Sequence, residues 1–170
     1  MKRLFIALCL LLFLSGCTGI PDNIEPVRNF DIKRYLGRWY EIARLDHPFE
    51  RGLERIYAEY SLRENGGVRV VNRGFDPESG KWKEATGKAY FVADENIGML
   101  KVSFFGPFYG GYNIIALDRD YSYALVCGPN RDYLWILSRT PEMEESIKTE
   151  LIKKAKALGF DTDKLIFVWQ

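Results

Sequence analysis

The sequence predicts an all-β fold of eight antiparallel strands closed into an up-and-down barrel, with one C-terminal α-helix packed outside. Three observations carry this. Short segments rich in aromatic and β-branched residues recur between turn signals, at the roughly 8–12 residue spacing of all-β domains. The links between them are short, as hairpins joining antiparallel neighbours must be. The pattern changes to helical spacing only once, near the C-terminus.

The eight segments are Trp39–Leu45, Ile56–Arg63, Val68–Phe75, Trp82–Phe91, Met99–Phe105, Tyr112–Asp118, Tyr121–Cys127 and Tyr133–Arg139. Asn65-Gly66 supplies residues that tolerate positive φ at the second link, and Asp76-Pro77-Glu78-Ser79-Gly80 and Gly128-Pro129-Asn130-Arg131-Asp132 are further turn signals. Met143, Ile147, Leu151, Ala155 and Leu158 then recur near helical spacing. Thr140 is the expected N-cap, Pro141 the first helical residue and Gly159 the stop. A last strand is expected over Leu165–Trp169.

The N-terminus reads as an export signal. Lys2 and Arg3 precede an apolar run, Leu4–Leu14, that ends at Leu14-Ser15-Gly16-Cys17. The run is too short to span a bilayer, which takes about 20 residues. Leu-Ser-Gly-Cys resembles the lipobox of bacterial lipoproteins, which implies cleavage before Cys17 and lipid attachment to it. Three divisions follow: residues 1–16 as signal peptide, 17–29 as lipidated N-terminus and flexible tether, and 30–170 as the barrel domain. Losing Lys2 and Arg3 takes the formal net charge from +1 to slightly negative, which gives no footprint for nucleic acid. Of three cysteines, only Cys127 is left without modification, so the mature chain has no internal disulfide. Cys127 reads as a small strand residue.

Gly37-Arg38-Trp39-Tyr40 at the first strand, Asp118 and Tyr121 around the sixth hairpin, and Ser138-Arg139 before the helix resemble the three signature blocks of the lipocalins. Trp39–Arg44 and Phe104–Asn113 look like the bacterial outer-membrane members. The middle block departs from the family pattern, with Leu117-Asp118-Arg119 in place of Thr-Asp-Tyr. The resemblance implies that Gly37, Trp39, Asp118 and Arg139 are structural, with Arg139 laid across Trp39 at a closed barrel end. It further implies fatty acid or lysophospholipid as ligand, a lipid-anchored, periplasm-facing place at the outer membrane, and a homodimer.

Alternation along strands selects the residues that face a ligand. Ala58, Tyr60, Ala89, Val102, Phe104, Tyr112, Ile114 and Trp135 are the expected contacts, with Leu62, Ala85, Gly87 and Ala116 also inward. Ala85, Gly87 and Ala89 remove volume from one wall, as a cavity needs. The third strand has no readable orientation, and Glu41 is inward by parity unless a bend turns it out. Catalysis lacks its usual parts: His47 is the one histidine, expected in an exposed or gating loop, and no metal or cofactor set is present. The reading is a binding module. Its alternatives are a structural envelope lipoprotein, docking a partner through an aromatic Gly106–Gly111 loop, and an enzyme acting on lipids.

Overall fold

The computed structural model describes residues 18–170, so the expected leader and Cys17 lie outside the described residues. Eight strands follow one another: β1 Gly37–Arg44, β2 Glu54–Leu62, β3 Val68–Asp76, β4 Lys81–Phe91, β5 Met99–Phe105, β6 Phe108–Leu117, β7 Tyr123–Cys127 and β8 Leu134–Ser138. Each pairs antiparallel with the next, and β1 pairs with both β8 and β2, so the sheet closes on itself. Closure removes the unpaired edges that an open sheet exposes. Chain direction sorts the connections onto two ends. The loops 63–67, 92–98 and 118–122 lie at the end where β1 begins, the base; 45–53, 77–80, 106–107 and 128–133 lie at the other, the rim.

Three expected boundaries shift. The strand expected to begin at Tyr112 begins at Phe108, so the Gly106–Gly111 loop contracts to a tight Gly106-Pro107 connection with a cis peptide bond. The strand expected from Tyr121 begins at Tyr123, because the Asp118 carboxylate accepts from the backbone N–H of Asp120 (3.1 Å) and Tyr123 (3.0 Å) and draws the chain into a turn. The helix, α2, spans Glu145–Ala157 rather than opening at Thr140-Pro141. Thr140 does not cap it: its hydroxyl donates to the Glu142 carbonyl (2.6 Å) and its N–H to Ser138 Oγ (3.1 Å), which makes a turn instead. Gly159 ends the helix as expected, at φ +85°, with Phe160 N–H donating to Ala155 O and Gly159 N–H to Lys156 O.

Both terminal segments are built into the wall. The residues expected as a flexible tether are laced onto the barrel from Gly19 onward. Asn113 Nδ2 donates to Gly19 O (2.9 Å), Arg131 to Asp22 O (2.8 Å), and Val27 bonds to both Ile114 and Gly98. Ile20 and Ile24 pack with the outer core, and at these sites apolar burial wins over the tether reading that the prolines suggested. At the other terminus the last strand, β9, is only Ile166–Phe167, paired to Ala43 and Arg44 of β1. The residues after it fill the seam above the last β1–β2 pair, Tyr40 and Tyr57: Val168 N–H donates to Ile42 O, Arg55 N–H to Trp169 O, and Gln170 Nε2 to Ile56 O.

Two apolar cores result. One fills the lower barrel, and the other lies between the outside of β1, β6, β7 and β8 and the buried face of α2, Leu151 and Ala155. Cys127 belongs to the outer one, fully buried, and burial pushes its thiol up to about 12, so it is an inert packing residue.

The base is closed by a plug. A short helix, α1 (Ile32–Tyr35), capped by the Asp31 side chain on Lys33 N–H, crosses beneath the barrel before β1. The Arg139 guanidinium lies 4.0 Å from the centre of the fully buried Trp39 ring, and the indole donates to Tyr35 O (2.8 Å). Arg139 also donates to the carbonyls of Arg34 (2.7 Å), Leu36 (2.8 Å), Arg38 (2.9 Å) and Tyr121 (3.1 Å). Gly37, at φ +92°, lets the chain turn into β1 there, and any Cβ would meet Arg139 Nη1 at 3.3 Å. Bonds from a charged donor are each worth about 1.5–3 kcal/mol net, and the guanidinium fork cannot be replaced by an ammonium. Arg139→Met should therefore lower the free energy of unfolding by about 2–4 kcal/mol in urea titration. Arg139→Lys should recover less than half of the loss, and equal stability for all three proteins would show that the plug is not structural.

Candidate ligand-binding chamber

From the base upward the barrel is first filled, then open. Tyr35 stacks on Trp39 with ring centroids 4.7 Å apart, Tyr60 leans on Tyr35 at 5.6 Å, and Phe30 and Tyr121 complete the floor. The hydroxyls of Tyr35 and Tyr60 both meet that of Tyr112, at 2.8 and 2.9 Å. Burial, with each phenol close to the next, raises the pKa of Tyr35 and Tyr112, so the cluster stays neutral. Above it the walls turn to Ala58, Phe91, Val102, Phe104 and Trp135, all facing inward on the inner core.

All eight expected contact residues face this interior, but they differ in burial. Ile114, Ala89 and Tyr60 are buried. Ala58, Val102, Phe104, Tyr112 and Trp135 are only half-buried although they point into the barrel, and that marks the space above the tyrosines as unfilled. The wall is shaped by more than small residues. Gly87 admits no Cβ because the Phe104 ring lies 2.8 Å from where one would sit, so Phe104 takes that volume. Two expectations are corrected. Ala116 faces the outer core because a bulge between Ile114 and Ala116 reverses its parity, and Leu62, at the end of β2, is exposed. The third strand now has an orientation: Val68 and Val70 point inward.

At the mouth the interior becomes charged. Glu41 is inward and buried, and a bulge between Glu41 and Ala43 turns Arg44 inward after it. Arg44 Nη1 donates to Glu41 Oε1 (3.0 Å) and Nη2 to the Glu50 carbonyl (3.0 Å). His47, expected at the loop surface, is buried. Its ring lies 5.2 Å from Trp135, 5.7 Å from Phe49 and 6.1 Å from Tyr133. Its Nε2 is 3.0 Å from Glu50 Oε2 but off the axis of a linear hydrogen bond, and Nδ1 and Arg44 Nε have no partner. Trp135 Nε1 donates to Glu50 Oε2 (3.3 Å). Strict alternation hid this network, since it puts Arg44 outside. The signal available was titratable residues recurring at every third position: Glu41, Arg44, His47 and Glu50.

The two carboxyl groups differ. Burial, then the neighbouring Glu50 charge, raises Glu41 well above the usual carboxylate range. Burial alone would raise Glu50 too, but its contacts with His47, Glu41 and Trp135 hold it below its ordinary value. As pH falls, the pair therefore takes up its first proton on Glu41, ahead of Glu50.

A model of the lipocalin-like domain matches residues 30–170. The chain belongs to the lipocalin family. The outer membrane lipoprotein Blc of Vibrio cholerae is 56% identical to this lipocalin, over 100% of the chain and 99% of the relative. The Escherichia coli K12 protein of the same name is 59% identical, over 88% of the chain and 85% of its own length. Insecticyanin from the tobacco hornworm superposes with a TM-score of 0.71 at 22% identity, covering 88% of this chain and 86% of that one, which shows the shared barrel. The lipocalin described here is a binding protein and not an enzyme.

A test of the mouth follows from the Glu41 proton. Above the ordinary glutamate value, about 4.3, the folded chain holds a proton that the unfolded chain releases. Stability contributed by Glu41 therefore falls as pH rises from there through its raised folded value. Glu41→Gln should flatten the decline in urea midpoint as pH rises above the ordinary glutamate value, about 4.3; parallel declines in both proteins would place the proton elsewhere.

Proposed function

We propose that this lipocalin is a membrane-anchored lipid-binding protein. On this reading it holds one fatty acid or lysophospholipid, tail inward, at the bacterial outer membrane, and is tethered there by lipid on Cys17. The observation that carries the reading is an apolar chamber closed at its base and charged at its mouth. Ala58, Val102, Phe104 and Trp135 line it with accessible apolar surface, while Arg44 and His47 hold buried, unpartnered nitrogens above. An acyl chain fits the lower part. Burying ten methylenes at about 0.8 kcal/mol each yields ~8 kcal/mol before ordering costs, enough for micromolar affinity. The polar end stays at the mouth, because burying an unpaired charge against the tyrosine floor would cost several kcal/mol. The names of the two bacterial relatives support the anchor and its membrane.

The test is native mass spectrometry of the mature chain carrying Cys17→Ser, titrated with palmitate and lysophosphatidylethanolamine. A one-to-one adduct is expected. Val102→Trp, which fills the chamber, should weaken it at least tenfold while leaving the thermal midpoint within about 3 °C. No adduct with either lipid, or an adduct that ignores Val102→Trp, would sink the proposal.

A further inference from the structure

Where the N-terminal segment begins decides which end of the barrel meets the membrane. Gly19 O is held by Asn113 Nδ2 at 2.9 Å, and the same amide donates to the Gly128 carbonyl (3.1 Å), at the rim end of β7. Gly111 can carry no side chain because Gly19 O lies 2.6 Å from where its Cβ would be. From there the segment runs down the outer wall to the base, where Arg28 bridges Ile97 and Phe30 N–H donates to Asn96 O. Cys17 precedes Gly19 by two residues, about 7 Å at full extension. The anchor therefore emerges beside the rim, and no slack remains to bring it round to the base.

The rim itself carries apolar tips. Phe49 on the β1–β2 loop is 72% exposed, and Phe105 and Phe108, flanking Gly106-Pro107, are 74% and 76% exposed. The two sites lie on opposite sides of the mouth, since β1–β2 and β5–β6 are separated by half the barrel. Below the second tip, Lys101 and Lys88 stand over the Tyr109 ring at 5.0 and 5.9 Å. Apolar tips with lysine and tyrosine one step behind suit a bilayer interface, with rings among acyl chains and ammonium groups at phosphate height.

We propose that the rim, through Phe49, Phe105 and Phe108, rests in the interfacial layer of the membrane that holds the Cys17 anchor, so that the chamber opens directly onto lipid. This rests on the reading of Cys17 as the lipid-bearing residue. The polar β3–β4 turn stays in the headgroup layer, and the base points away from the bilayer. A lipid then passes between membrane and chamber without crossing water.

The experiment uses the mature, lipidated chain reconstituted in vesicles of phosphatidylethanolamine and phosphatidylglycerol. Buried Cys127 leaves an introduced thiol as the reactive one. An environment-sensitive fluorophore on Phe108→Cys should be quenched at least threefold by brominated acyl chains, and the same fluorophore on Glu95→Cys, at the base, should not be. Phe105→Ser combined with Phe108→Ser should slow transfer of a bound fluorescent lysolipid to vesicles at least tenfold. Its affinity in solution should stay within twofold. Equal quenching at the two sites, or quenching at the base alone, overturns the proposal. The quenching needs no ligand in the chamber, so a chamber that binds nothing and a rim that faces away from the membrane are distinguishable outcomes.

Discussion

The Arg139 guanidinium, laid 4.0 Å over the Trp39 indole and bonded to four backbone carbonyls, is the constraint on which the barrel depends. Those carbonyls belong to the continuous stretch from α1 into β1 and to the β6–β7 turn, two pieces far apart in sequence. One planar cation satisfies all of them in a site that water would otherwise enter. With that end fixed, β1 starts in a defined register between β2 and β8, and the tyrosine floor has something to stand on.

A closed base forces asymmetry on the interior. The lower half is packed with aromatic rings whose hydroxyls satisfy one another, so it excludes charge. The upper half is left unfilled by the side chains of its wall, and it ends in the Glu41, Arg44, His47 and Glu50 network. Such buried charges do little for stability, because desolvation offsets their attraction. On the proposed function, their place at the mouth of an apolar chamber orients an amphiphile. The N-terminal segment that starts beside the rim also seals the wall down to the base.

The terminal segments show how a short barrel is completed. Where β1 and β2 part above Tyr40, the carbonyls and N–H groups of both strands would be left unpaired. Residues after β9 bond to each strand, and the Gln170 side chain closes the last gap. The same need for backbone partners fixes the N-terminal segment between Gly98 and Ile114.

The sequence by itself determined the strand count, the antiparallel order, the outer helix and its stop at Gly159. It also determined the inward set from Ala58 to Trp135, because alternation and turn chemistry are local and repeat. Only the tertiary structure decided where alternation breaks. The bulges at Glu41–Ala43 and Ile114–Ala116 turn Arg44 in and Ala116 out, and neither leaves a mark in the residue pattern. The burial of His47 against Tyr133 and Trp135 and the docking of residues 19–29 were decided there as well. Each depends on a partner many residues away, whose backbone groups or rings offered a better contact than the local signal did.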